Sequence, residues 1–147
     1  MRFSAGVRTA GAGGATTPIA SIYGNANSGG RLREIGIFNT TTTAFIAALR
    51  RLTSTGTRGA AATNEPWDEA NAQAPLCSVH NMHTVDPSFK TGDLGFRAPV
   101  GAAIGAGVIW TFGDEGLVIP KDAAKGIGII IPTGSGQVAD VYFVWDE

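Results

Sequence analysis

The residue types most suited to chemistry sit in one run, Cys77-Ser78-Val79-His80-Asn81-Met82-His83. Cysteine and histidine at three-residue spacing are the ligand types of a zinc site. Read as one continuous strand, however, the run puts Cys77 and His83 on one face and His80 on the other. A single strand cannot aim all three at one ion, and the chain has no further Cys or His. No metal site is therefore expected. The same opposition of faces argues against Cys77 and His80 as a thiolate–imidazole pair, for which no orienting group or oxyanion hole can be named.

The carboxylates give no clearer signal. Glycoside hydrolysis needs two of them facing each other at a set separation. Five of the twelve here lie beside Gly, Pro or Asn, where Asp and Glu serve turns and solubility. The Gly-rich pieces, Gly11 to Gly14, Gly101 to Gly107 and Gly134 to Gly136, lack the order of a phosphate-binding loop or a dinucleotide fingerprint. There is no Gly-x-Ser-x-Gly elbow. No cofactor and no enzymatic activity are expected.

Arginine is used far more than lysine, Lys90, Lys121 and Lys125 being the only lysines. The planar guanidinium suits protein interfaces. Arg50, Arg51 and Arg58, with the large apolar Trp67 in a polar stretch, are the candidate protein-contact residues. These short basic pairs do not form the positive stripe that nucleic acid requires.

The elements that must carry these residues read as strands. Phe3, Ala5 and Val7 alternate with Arg2, Ser4 and Arg8, the period-two pattern of a half-buried strand. Ile19 to Tyr23 is a second strand. In a third, Leu32 to Phe38, Ile35 and Ile37 share one face and Leu32, Glu34 and Phe38 the other. Thr43 to Leu52 fits either a helix or a strand. The Thr40 to Thr43 run favours strand, paired with Leu32 to Phe38 by a hairpin through Asn39 to Thr42. Thr53 to Pro75 reads as a long loop. Strands resume at Leu76 to Met82, with a short one at Leu94 to Arg97. Three later strands group Val108, Trp110 and Phe112, then Ile127, Ile129 and Ile131, then Val141, Phe143 and Trp145, and Leu117 to Ile119 is a short strand between the first two. Roughly eight to ten short strands with turn signals between them predict an all-β jelly-roll-like or sandwich domain with long loops. Residues 1–147 form a single β domain, with 1–30 read as an extended arm or peripheral strands.

Composition narrows the function classes. A formal net charge of −1 gives no general attraction to nucleic acid or acidic membranes. No window approaches the roughly 18 apolar residues of a bilayer span. The start shows no continuous apolar stretch after a basic segment, so no signal peptide is expected. Charged residues make up 16% of the chain, against about 25% in ordinary domains. A surface covered by Ala, Gly, Thr and Ser desolvates cheaply and suits contact with partners.

The chain resembles the short, Gly/Ala/Thr-rich β proteins of tailed-bacteriophage structural genes, above all the head decoration, or cement, proteins. The residues behind the resemblance run from Gly13-Gly14-Ala15-Thr16-Thr17-Pro18 to Tyr23, with Arg33-Glu34-Ile35-Gly36-Ile37-Phe38-Asn39 and Leu49-Arg50-Arg51-Leu52. Ile109-Trp110-Thr111-Phe112, Gly116-Leu117-Val118-Ile119-Pro120 and Val141 to Glu147 complete them. The resemblance implies a jelly-roll-like homo-oligomer, a trimer by preference. Its partner would be the major capsid protein and its location the virion surface. A tail, baseplate or head–tail connector component is the alternative within the same particle. Outside it, the alternative is a carbohydrate-binding β-sandwich module using Tyr23 and Trp67 as aromatic platforms.

Overall fold

The computed structural model describes residues 1–147 and is almost entirely β. Its strands are β1 (Arg2–Arg8), β2 (Ala20–Tyr23), β3 (Gly30–Asn39), β4 (Phe45–Leu52), β5 (Glu65–Pro66) and β6 (Ser78–Asn81). They continue with β7 (Arg97–Val100), β8 (Gly107–Thr111), β9 (Leu117–Ile119), β10 (Gly126–Ile130) and β11 (Ala139–Asp146). The only helical turn is a 3-10 turn at Glu69–Asn71, capped by the Asp68 carboxylate.

Two antiparallel sheets face each other. One runs β5-β1-β11-β3-β8, with β9 also on β3, and the other runs β6-β2-β10-β4-β7. β1 to β4 alternate between the sheets, β4 and β7 pair within one of them, and the last two strands insert beside the first two. That is the strand order of a jelly roll, two Greek keys wrapped into a sandwich. The short β5 and β6 extend it from the long segment between β4 and β7. Ile35, Ile37, Leu49, Ile127, Ile129, Val141, Phe143 and Trp145 fill the space between the sheets.

Three expectations need correction, and one alternative is decided. First, β4 is a strand, but it pairs with β10 and β7 in the opposite sheet rather than with β3. Both sides of β3 are taken, by β11 and by β8 with β9. Buried Asn39 sends the chain across: its amide donates to the Thr43 and Gly101 carbonyls at 2.7 and 2.9 Å, and its Oδ1 accepts from Thr41. Second, Leu32 shares the core with Ile35 and Ile37. The register steps from Glu34 opposite Val144 to Leu32 opposite Trp145, so Arg33 is the extra residue of a β-bulge and reverses the alternation.

Third, of the two readings of residues 1–30, an arm or peripheral strands, the structure has strands. Phe3 and Ala5 in β1 face the core between β11 and β5, and β2 is buried throughout between β10 and β6. Their Gly- and Asn-rich connections hide two strands whose apolar residues the sandwich needs. Fourth, the strand expected at Leu94 to Arg97 begins only at Arg97, because Gly92 and Gly95 take positive φ and turn the chain before it.

Candidate functional site

The Cys–His run does not act as one strand. β6 ends at Asn81, whose Oδ1 accepts from the Ala10 and Met82 amides and turns the chain. Cys77 and His83 therefore do not share a face. Cys77 packs between the sheets, its thiol pushed up to about 12 by burial and then by the Glu147 carboxylate. His83 lies instead on the outer side of the β6-β2 layer, with Nε2 2.9 Å from Ser21 Oγ. His80 joins it there, and both rings pack on Tyr23, at 6.3 and 6.1 Å between centroids. No three His, Cys, Asp or Glu side chains converge as metal ligands would.

Ser21 and His83 form a pair that the sequence does not announce, since 62 residues separate them. A serine hydroxyl on an imidazole is a nucleophile–base geometry. Here Ser21 is 0% and His83 1% exposed, and neither lines any of the four cavities. Substrate has no approach to the hydroxyl, so the pair is a buried polar lock between β2 and the segment after β6. Its Nδ1 makes no hydrogen bond.

That environment sets a pH dependence. Burial pushes His83 below its ordinary value, with the neighbouring His80 next in effect, and burial lowers His80 as well. Between these depressed values and about 6.5, the unfolded chain binds more protons than the folded one. Stability is thus fully present above about pH 6.5 and is lost as pH falls through that window. The slope is at most about 1.4 kcal/mol per pH unit for each histidine. Urea midpoints at about pH 7.5 and about pH 5 are expected to differ in that direction. The double variant His80→Gln, His83→Gln should flatten the difference, and equal midpoints in the parent would refute it.

Of the candidate contact residues, three are engaged within the chain. The Arg50 guanidinium lies over Phe89 at 4.6 Å and donates to the Lys90 carbonyl. Arg51 spans the sandwich to the Val118 carbonyl at 2.8 Å. Arg58 covers the Tyr23 ring at 4.9 Å. Tyr23 is fully buried, which removes it as a sugar platform. Trp67 remains 59% exposed, with Arg2 over its ring at 5.4 Å. The structure does not bring these four into one site.

Two surface features emerge instead. One is the outer face of the β1-β11-β3-β8 layer. Gly6 and Gly36 lie opposite Tyr142 on its two sides. A Cβ at Gly36 would fall 2.1 Å from the Tyr142 ring, and one at Gly107 would fall 2.4 Å from the Phe38 ring. Glycine at these strand positions lets each ring lie down on the sheet. The two rings are 19° from parallel with centroids 6.3 Å apart. Tyr142 Oη donates to Glu34 at 2.6 Å, and its hydroxyl is pushed up to about 12 by burial and then by that carboxylate. Arg8 and Asp140 form a bidentate pair beside the rings, both bonds 2.8 Å.

The second is one end of the sandwich. The antiparallel registers bring four connections there, 9–19, 40–44, 101–106 and 131–138. They interlock: Gly105 N donates to Asn39 O at 2.8 Å, Thr41 Oγ1 to Gln137 Oε1 at 2.9 Å, and Ile131 N to Gly14 O at 3.1 Å. None of the chain's 11 basic and 12 acidic residues falls in these connections. Ile104 stands at the tip of one of them, 74% exposed. Asp86 reaches the margin of this end, where it accepts from Thr17 Oγ1 at 2.6 Å. The charged loops, with Lys121, Asp122 and Lys125 between β9 and β10 and Asp114 and Glu115 before β9, lie at the opposite end.

Comparison of the chain with protein-family models, with curated proteins and with solved structures gives no match.

Proposed function

We propose that this chain is a structural subunit of a tailed-bacteriophage particle. In this reading it is a head decoration protein that docks at junctions between major capsid subunits and stabilises the shell. The observation that carries the proposal is the charge-free end of the sandwich. Four loops from both sheets, cross-bonded into one surface, present Ala, Gly, Thr and an exposed Ile and contribute no ionised side chain of their own, with Asp86 at their margin on Thr17 and Arg50, Asp93 and Arg97 beside Ala15 and Pro132. Such a surface loses little hydration free energy when covered, since desolvated charge is the costly part of an interface. The jelly-roll order agrees with this role by analogy of fold, because capsid and lectin domains reuse it.

The action required is mass action and repetition. A subunit that binds only the assembled shell stabilises that state. Many modest contacts on a symmetric lattice reinforce one another. A closed trimer is the favoured assembly, and light scattering on the purified protein should then give three times the 15.1 kDa chain mass. Electron microscopy of particles purified from the host lysate, labelled with antibody to the chain, tests the location. Label distributed over the heads supports the proposal. Label confined to tails or baseplates replaces it with a tail component, and unlabelled particles that lack the chain by mass spectrometry overturn it.

A further inference from the structure

We propose that the Tyr142–Phe38 face of the outer sheet is a binding site for a neutral pyranose of a glycan. The site lies on the outer face of the sheet and abuts the charge-free end, since Arg8, Asp140, Phe38 and Gly107 form the row next to its loops. It is a shallow cavity of about 330 Å³ lined by Gly6, Val7, Arg8, Phe38, Asp140 and Tyr142, among others. That volume falls in the range of small-ligand sites, which are mostly apolar with a few placed polar groups.

The chemistry matches a sugar ring closely. A pyranose has one face of C–H bonds and a rim of hydroxyls. The C–H face packs on a flat aromatic surface, whose negative π cloud attracts the polarised hydrogens. Tyr142 and Phe38 supply such a surface, lying near-parallel on the sheet over Gly36 and against Gly107. Gly6 carries no side chain to obstruct the space next to them. The rim offers partners for hydroxyls: Asp140 and Glu34 accept, and Arg8 donates. Their existing bonds, Arg8 to Asp140 and Tyr142 to Glu34, hold these groups in place before a ligand arrives.

Charge selects the class of sugar. Two carboxylates and one guanidinium surround the rings. Asp140 is held ionised by its hydrogen bonds from Arg8, which keep its carboxyl below the usual range. The Arg8 charge is already satisfied by Asp140, so no free cation faces the cavity. A sialylated or sulfated glycan would meet uncompensated negative charge at Glu34, whereas a neutral hexose meets none.

The glycine at position 6 provides a clean test. A Cβ there makes only ordinary contacts, the nearest being 3.5 Å from Val141 O. Gly6→Val is therefore expected to fill the cavity and keep the fold, since its Cβ fits and valine favours a strand. The probe is a panel of neutral glucose, galactose, mannose and N-acetylglucosamine oligosaccharides, with sialyllactose as the anionic comparison. Binding is read by ligand-observed NMR and by amide shifts of the protein. At least one neutral member is expected to bind and to shift the Gly6 and Gly36 amides. Gly6→Val and Tyr142→Ala should each weaken that binding at least about tenfold, with the Gly6→Val melting temperature at or above the parent's. No binding across the neutral panel overturns the proposal. So does binding that survives both variants, equal binding of sialyllactose, or a concentration-dependent shift of the same amides without sugar, which would assign the face to a second copy of the chain.

Discussion

Replacing Trp145 by alanine is expected to cost about 3–5 kcal/mol of stability, a large share of the roughly 5–15 kcal/mol that holds a domain folded. Trp145 is wholly buried and stacks on Phe3, with ring centroids 5.8 Å apart and planes 24° from parallel. It sits in β11 where that strand pairs with β1 on one side and with the bulged stretch of β3 on the other. Its Nε1 donates to Glu147 Oε1 at 2.8 Å, and the same carboxylate accepts the Leu76 and Cys77 amides. One side chain thus packs the sandwich and orders the start of β6. Alanine leaves a void where the indole was and frees the carboxylate from its third donor. Trp145→Phe keeps most of the stacking and loses the hydrogen bond, so it should cost much less. Urea denaturation of both variants at neutral pH measures the difference. A loss under about 1 kcal/mol for Trp145→Ala would mean that the indole is not packed as described.

The same strand shows what the sequence could and could not reveal. Val141, Phe143 and Trp145 were legible as one buried face because a sheet buried on one side imposes alternation on the chain. The two ends of β3 were not equally legible. Ile35 and Ile37 obey the alternation, but the extra residue at Arg33 returns Leu32 to the core, and no residue type announces a bulge there. The strand character of β4 was read from the Thr40 to Thr43 run, which the structure places in the connection before it, while its partner could not be read, since pairing with β10 joins residues far apart in sequence. Low charge was visible in the composition. That it concentrates at one end became visible only when the topology placed four separate loops together. The aromatic face left a trace in the glycines at 36 and 107, inside strands where glycine marks a close approach, yet the ring lying on each had to come from the structure. Ser21 and His83 left none, because a hydroxyl and an imidazole far apart in the chain carry no pattern.

A single charge placed on the uncharged end should separate assembly from folding. Ile104→Glu puts a carboxylate at a position 74% exposed, on a loop residue that holds no core contact. Its stability should stay within about 0.5 kcal/mol of the parent, as surface changes usually do. Covering that carboxylate in an interface costs several kcal/mol unless a partner charge meets it. Association through this end should therefore weaken by at least about a hundredfold. Co-sedimentation with particles and native mass by light scattering read that loss, and thermal melting reads the fold. A control charge at the opposite end, Ala123→Glu between Asp122 and Lys125, should leave association as it was. If Ile104→Glu binds and assembles like the parent, the charge-free end is not the contact surface. If both charges abolish association alike, the loss follows net charge rather than location, and the docking surface must be sought elsewhere on the sandwich.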